Sequence, residues 1–167
     1  SGTVDATTVT TITGTADAIV NVAQSAGITI AADYAATVDS GTATVAQALI
    51  LDTETTGAIT ADITEGDLAT LTTLTDTNGN NALTITVTNP SADAADLNTV
   101  ATITSVAVDA TAVTTISGSA ATIITASQNS GITTATSYAA TVTDADGISI
   151  AATALATLGA STTGTVS

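Results

Sequence analysis

The stretch from Val108 to Val142 reads VDATAVTTISGSAATIITASQNSGITTATSYAATV, and it repeats an earlier part of the same chain. Moved back by 104 positions, it falls on residues 4–38, VDATTVTTITGTADAIVNVAQSAGITIAADYAATV, and 21 of the 35 aligned residues are identical. Internal repetition of this kind is typical of stacked or tandem architectures, in which most positions serve packing. We therefore expect a structural protein and not an enzyme.

The composition predicts a folded chain with a thin, layered core. Of the 167 residues, 44% are hydrophobic, which is enough apolar surface for folding. That surface consists of Ala, Val, Ile and Leu, and the only aromatic residues are Tyr34 and Tyr138. An ordinary globular core gains much of its burial from a few large rings. Their scarcity favours many similar layers.

Within one repeat, β-branched segments alternate with capped helical segments. Thr15 can cap a helix from Ala16, and Thr44 with Gln47 forms a capping box for another. Asn89 as the cap and Pro90 at the first helical position predict a fourth helix through Asp93–Ile103. Four strand-then-helix units in 104 residues average about 26 residues each, a spacing close to that of leucine-rich-type repeats.

This alternation predicts an α/β fold, a right-handed solenoid of strand–helix units with a parallel sheet. Residues 1–107 form the first cycle of four units and residues 108–167 a partial second cycle, which we expect to be one continuous solenoid. Because Thr, Val and Ile are strong β formers, an all-β solenoid is an alternative. Tandem immunoglobulin-like β-sandwiches are another, since that domain has about 100 residues.

The charge restricts the possible partners. There are fifteen Asp and Glu residues and no Lys, Arg or His, so the net charge is −15. Binding to nucleic acid and to anionic membranes depends on cationic side chains, so neither is expected as a partner. Nucleophilic triads and histidine-ligated metals also need side chains that this chain lacks. Divalent cations would relieve the self-repulsion of the chain.

Two short acidic segments resemble parts of calcium-binding loops. Asp76, Asn78 and Asn80 place oxygen ligands at alternate positions, and Asp144 and Asp146 do so more briefly. Neither segment has the distal bidentate glutamate of a complete loop. Asn-Gly and Asp-Gly are also the commonest turn formers, so a plain turn is the competing interpretation. We expect no required cofactor, and calcium is the one candidate.

The segment Thr84-Ile85-Thr86-Val87-Thr88 would set three threonines in a row on one face of a strand. Regular rows of threonine on a flat sheet can order water, so an ice-binding solenoid is a further alternative. Threonine is also simply a soluble β-forming residue. The ice-binding interpretation therefore needs the row to recur on neighbouring strands.

Residues 95–98, ADLN, and residues 106–121, VAVDATAVTTISGSAA, resemble the Thr/Ala/Asp-rich repeats of giant cell-surface proteins of marine cyanobacteria. The resemblance covers Ala95–Gly131 well and Val4–Gly27 nearly as well, and it is faint between Gly57 and Pro90. It implies an extracellular or cell-surface location and a structural role. It supplies no catalytic residues.

Both termini carry the same short motif, Gly2-Thr3-Val4 and Gly164-Thr165-Val166. A solenoid without distinct caps exposes edge strands that invite another chain to add. We therefore expect end-to-end self-association of the chain into a filament, sheath or surface layer. A calcium-dependent adhesin segment of a giant surface protein is the alternative.

Overall fold

The computed structural model describes residues 2–145 and 147–167 and shows a mixed α/β fold with parallel sheets. The six helices are α1 (Ala16–Ala23), α2 (Val45–Glu54), α3 (Leu68–Leu71), α4 (Ala94–Ala101), α5 (Ala120–Gln128) and α6 (Ala152–Ser161). The strands before α3 are β1 (Val4–Ala6), β2 (Thr11–Gly14), β3 (Ile28–Ile30), β4 (Ala35–Val38) and β5 (Ile59–Asp62). The later strands are β6 (Ala82–Thr84), β7 (Ser91–Asp93), β8 (Val108–Ala110), β9 (Thr115–Gly118), β10 (Ile132–Thr134) and β11 (Ala139–Val142).

The predicted capped segments do fold as helices. Thr15 Oγ1 accepts a hydrogen bond from the Ala18 amide at the start of α1. Thr44 and Gln47 form the reciprocal capping box at the start of α2. Throughout the described residues, each pair of strands is parallel. The helices rule out the all-β alternative, and the parallel pairing rules out antiparallel immunoglobulin-like sandwiches.

The duplication appears in the strand pairing. Val4 pairs with Ile28 in β1 and β3, and Val108 pairs with Ile132 in β8 and β10. The pairing of β2 with β4 recurs in the same way between β9 and β11. All four pairs join residues 24 positions apart. The two copies therefore share one backbone arrangement, and not only a residue pattern.

The repetition also continues beyond Val142. Helices α2 and α6 both have ten residues and lie 107 positions apart, because the loop before α6 is three residues longer. After each helix a threonine hydroxyl donates to a tyrosine carbonyl, Thr55 to Tyr34 and Thr162 to Tyr138. The second copy thus extends to the last residues of the chain.

We call each passage through the strands and the following helix a module. The first module is residues 4–23, with β1, β2 and α1, and the last module is residues 132–161, with β10, β11 and α6. Residues 1–107 contain the four predicted helices, and strands β3 and β7 add to the one strand expected in each unit. Strand β10 is a similar addition in residues 108–167.

Contacts divide the chain into two compact regions. The first consists of Ser1–Glu65, Thr73–Ile85 and Ile103–Val106, and the second of Gly66–Thr72, Thr86–Thr102 and Ala107–Ser167. The first contains the sheet β2-β4-β5-β6, and its fully buried side chains are Ile19, Tyr34, Leu51, Ile59, Leu83 and Ile85. The second contains the sheet β7-β9-β11, and its fully buried side chains are Leu71, Leu97, Ile116, Ile123, Tyr138 and Leu158.

The predicted start of the fourth helix at Asn89 and Pro90 is wrong. Residues after Pro90 form strand β7, which pairs with β9, and α4 begins only at Ala94. Its N-cap is Asp93, whose carboxylate accepts from the Ala95 amide at 2.8 Å. Pairing with a neighbouring strand therefore overrides the local preference of proline for the first helical position. No helix in the described part of the chain is long and apolar enough to cross a membrane.

Candidate functional site

The first calcium candidate lies in the loop between α3 and β6. The carboxylate of Asp76 accepts hydrogen bonds from the amides of Asn80 and Asn81, at 3.1 and 3.2 Å. The Asn80 side chain donates to the carbonyl of Thr56 at 3.0 Å, while Asn78 is exposed beside a positive-φ Gly79. These contacts are those of a turn held by its own side chains. Calcium binding at Asp76, Asn78 and Asn80 stays a prediction.

The second calcium candidate has a different contact. The Asp144 carboxylate accepts from the amide of Ala120, the first residue of α5, at 2.7 Å. Asp146 lies outside the described residues. Within the described ranges, no group of three or more carboxylates is arranged to hold a metal ion. Asp144 therefore acts as a cap on a neighbouring helix, where the aligned N–H groups favour a negative charge.

Asp52, which no sequence motif singles out, is the most heavily hydrogen-bonded carboxylate of the first compact region. It is buried in α2 and accepts from the hydroxyls of Thr75 and Thr77, both at 2.7 Å, and from the Asn81 side-chain amide at 3.1 Å. Burial opposes its ionisation, but these hydrogen bonds outweigh burial and lower the pKa of Asp52. These hydrogen bonds hold the loop that precedes β6 against α2.

An open hollow of about 390 Å³ lies beside Asp52 and is also lined by Glu54, Thr55 and Asn78. Thr77, whose hydroxyl donates to Asp52 at 2.7 Å, also lines it. The Asp52 oxygens already accept hydrogen bonds from Thr75, Thr77 and Asn81. We assign no chemistry to it.

Threonines line part of the exposed sheet surface. Thr84, Thr86 and Thr88 are all exposed, while the residues between them point inward. Thr13, Thr37 and Thr60 are register partners on β2, β4 and β5, and their row ends at Ala82 on β6. This is a separate row from Thr84, Thr86 and Thr88, because Thr84 pairs with Asp62 and Thr86 with Asp109. The predicted row therefore does not recur on those neighbouring segments.

The strongest candidate for a functional surface is the outer side of the first module. Val4 is 57% exposed, whereas its equivalent in the second copy, Val108, is fully buried. Val9 is 37% exposed, and its equivalent Val113 is also fully buried. The same side chains on the same backbone differ only in whether a neighbouring segment covers them.

The structure shows what covers the second copy. Strand β8 is bridged by Thr86, through the pair Thr86 and Asp109, and β9 is paired with β7. The equivalent strands β1 and β2 pair only with β3 and β4, among the residues described. Their outer edges leave backbone groups open to an added strand. The sequence does not reveal this surface, because the two copies have nearly the same residues there.

Comparison with protein-family models, with curated proteins and with solved structures finds no match to this chain.

Proposed function

We propose that this chain is an extracellular structural repeat protein, a right-handed α/β solenoid whose copies associate end to end into a filament, sheath or surface layer. The observation that carries the proposal is the exposure of Val4 and Val9 beside the complete burial of Val108 and Val113. A solenoid module is completed by its neighbours on both sides. Among the described residues, no segment covers the outer side of the first module.

Covering the first module is energetically favourable. Burying an exposed valine contributes about 1.5 kcal/mol or more, and Val4 and Val9 lie on the same uncovered module. Adding a strand along β1 and β2 also pairs backbone groups that are otherwise left to water. A segment built like Thr86–Asp93, which performs this role for β8 and β9, is the kind of structure that fits.

A second copy of the same chain is the occupant that we propose. It carries strand pairs with the same spacing, so stacking continues the pattern already present inside the chain. The extracellular location rests on the resemblance of residues 95–131 to cell-surface repeats. Absence of cysteine and the high negative charge are compatible with it.

Negative-stain electron microscopy of the purified chain, with calcium and with a chelator, tests the proposal. We expect filaments with an axial repeat in both conditions. Val4→Asp should abolish the filaments, because it places a charge on the face that the second copy would cover. Val106→Asp alters another exposed valine, outside the first module, and should not abolish them. Single particles in all conditions would refute self-assembly, and filaments that require calcium would favour the adhesin alternative.

A further inference from the structure

Helix α6 exposes an apolar stripe to solvent. Its exposed residues Ala152, Leu155, Ala156, Gly159 and Ala160 follow the i, i+3, i+4, i+7, i+8 spacing of a helix face that normally packs. We call these five residues the last-helix face. Among them Leu155 is 46% exposed.

Three of the five equivalent positions are covered on α2, the corresponding helix of the first copy, while Leu49 is half-buried and Thr53 is exposed. Val45, Ala48 and Asp52 correspond to Ala152, Leu155 and Gly159, and all three are buried. Following residues of the chain provide contacts there: Glu65 accepts from the Val45 amide, and Thr75 and Thr77 donate to Asp52. Helix α6 has no such covering segment among the described residues, nor any side-chain cap.

Because it carries no charge, the last-helix face is a surface that a second copy can approach. Two chains that each carry −15 repel, and an acidic side chain buried against another would be costly. Residues 147–167 contain no ionisable side chain at all. Depletion of charge together with an exposed apolar stripe is the usual composition of an interface core.

The first module offers a matching surface. Ala18 and Val22 of α1 are more exposed than their equivalents Thr122 and Ala126 of α5, a helix that packs against α4. The acidic residue of α1, Asp17, accepts a hydrogen bond from Gln47 of α2 and so lies on the other side of the helix. We call Val4, Val9, Ala18 and Val22 the first-module face; these four side chains are uncharged, and the exposed Asp5 follows Val4 on β1.

We infer that the last-helix face of one copy packs against the first-module face of the next, so that α6 and the neighbouring copy's α1 continue the series of adjacent helices α4, α5 and α6. This inference rests on the proposed end-to-end association and names its two surfaces. The small side chains of Ala152, Ala156 and Gly159 allow the two helices to approach closely. The contact is heterologous, so it repeats without closing a dimer.

Cysteine cross-linking tests the pairing, because the chain has no cysteine of its own. Ala18→Cys and Leu155→Cys are made as separate variants, and a short bismaleimide is added to each alone and to their mixture. We expect dimers from the mixture and at least tenfold fewer from either variant alone. Dimers formed by Leu155→Cys alone would indicate a symmetric contact and overturn the inference.

A charge variant gives an independent readout. Leu155→Asp should raise the concentration needed for filament formation at least tenfold, as expected if an interface is weakened by about 1.4 kcal/mol. Ala46→Asp, which adds the same charge to an exposed position of α2, should leave the concentration needed for filament formation unchanged. Filaments of normal abundance from Leu155→Asp would place the contact elsewhere while leaving self-assembly intact. If the unmodified chain forms no filaments, the proposed function fails, and the absence of mixed dimers then refutes the pairing separately.

Discussion

Tyr34 and Tyr138 occupy equivalent positions in the two copies and are both fully buried, but only the Tyr138 hydroxyl has a hydrogen-bond partner, Ser161 Oγ at 2.7 Å. The residue that corresponds to Ser161 in the first copy is Glu54, at the end of α2. Burial, and secondarily the negative charge of Glu54, raises the pKa of Tyr34. The first copy therefore contains a buried hydroxyl without a partner, which costs free energy.

Replacing Glu54 by serine should supply the missing partner. We expect Glu54→Ser to raise the free energy of unfolding by about 1 kcal/mol, the typical net value of one hydrogen bond. Urea unfolding followed by circular dichroism measures this change. Glu54→Ala removes the charge without adding a hydroxyl and serves as the control. Equal stability of the two variants would show that the serine does not reach Tyr34.

We expect Gly57 and Gly164 to be the least replaceable glycines. A Cβ atom at Gly57 would fall on the carbonyl oxygen of Tyr34, and one at Gly164 on that of Tyr138. Each alanine substitution should lower the free energy of unfolding by about 2–4 kcal/mol, because backbone must move to make room. Thermal unfolding of the single variants tests this.

Gly159→Ala is the control, for which we expect the free energy of unfolding to rise and not to fall. Gly159 lies inside α6, and no neighbouring atom comes within 4 Å of the place that an alanine methyl group would take there. Gly159→Ala should therefore stabilise the helix by about 1 kcal/mol. Losses of similar size at all three glycines would mean that the close approach to the tyrosine carbonyls is not what matters.

The role of Asp52 is testable through pH. Its folded pKa lies below the usual 3.8, so its contribution to stability is present above that pH and is lost as the pH falls through the folded value. Asp52→Asn should lower the free energy of unfolding by about 2 kcal/mol at pH 7, because hydrogen bonds to a charged acceptor are lost. The difference from the unmodified chain should shrink below pH 3.8.

Urea titrations at pH 7 and near pH 3 measure this difference. Asp39→Asn, at an exposed loop position, removes the same charge without removing such contacts. A deficit of Asp52→Asn that is equally large at both pH values would exclude the ionised carboxylate as the source of the stabilisation.

Short-range sequence signals were sufficient to predict where the first two helices begin. The caps at Thr15 and Thr44 were predicted correctly, because hydroxyl capping acts within a few residues. The three-residue strands β3 and β10 are too short to show a period. Strand β7 forms after Pro90 only because β9 lies beside it, and no local pattern reports a partner 24 residues away.

The candidate surface depended on relationships that the sequence does not contain. The stretches around Val4 and Val108 are nearly identical, and only the structure shows that one is covered and the other is not. The partners of Asp52 likewise lie 23–29 residues further along the chain and meet it only in the folded structure. Calcium binding at Asp76, Asn78, Asn80, Asp144 and Asp146 stays a prediction, because turns and calcium loops use the same side chains.

A recurring contact between modules supports the last prediction. The first amide of three helices donates to a side chain of the following module: Val45 to Glu65 at 2.9 Å, Leu68 to Asn89 at 2.7 Å and Ala120 to Asp144 at 2.7 Å. Such a contact satisfies an N–H group that the helix itself cannot pair. It also joins each helix to the next layer of the fold.

Glu65→Ala and Asp144→Ala should each lower the free energy of unfolding by about 1 kcal/mol, the usual cost of losing a helix cap. Asn89 shows that a neutral amide oxygen can accept the same bond, so Glu65→Gln and Asp144→Asn should retain most of the stability. Urea unfolding of the four variants, with and without calcium, measures both effects. If Asp144→Asn is as unstable as Asp144→Ala, the negative charge and not the hydrogen bond is what the helix needs, and a calcium-dependent loss would instead support the cation interpretation of this loop.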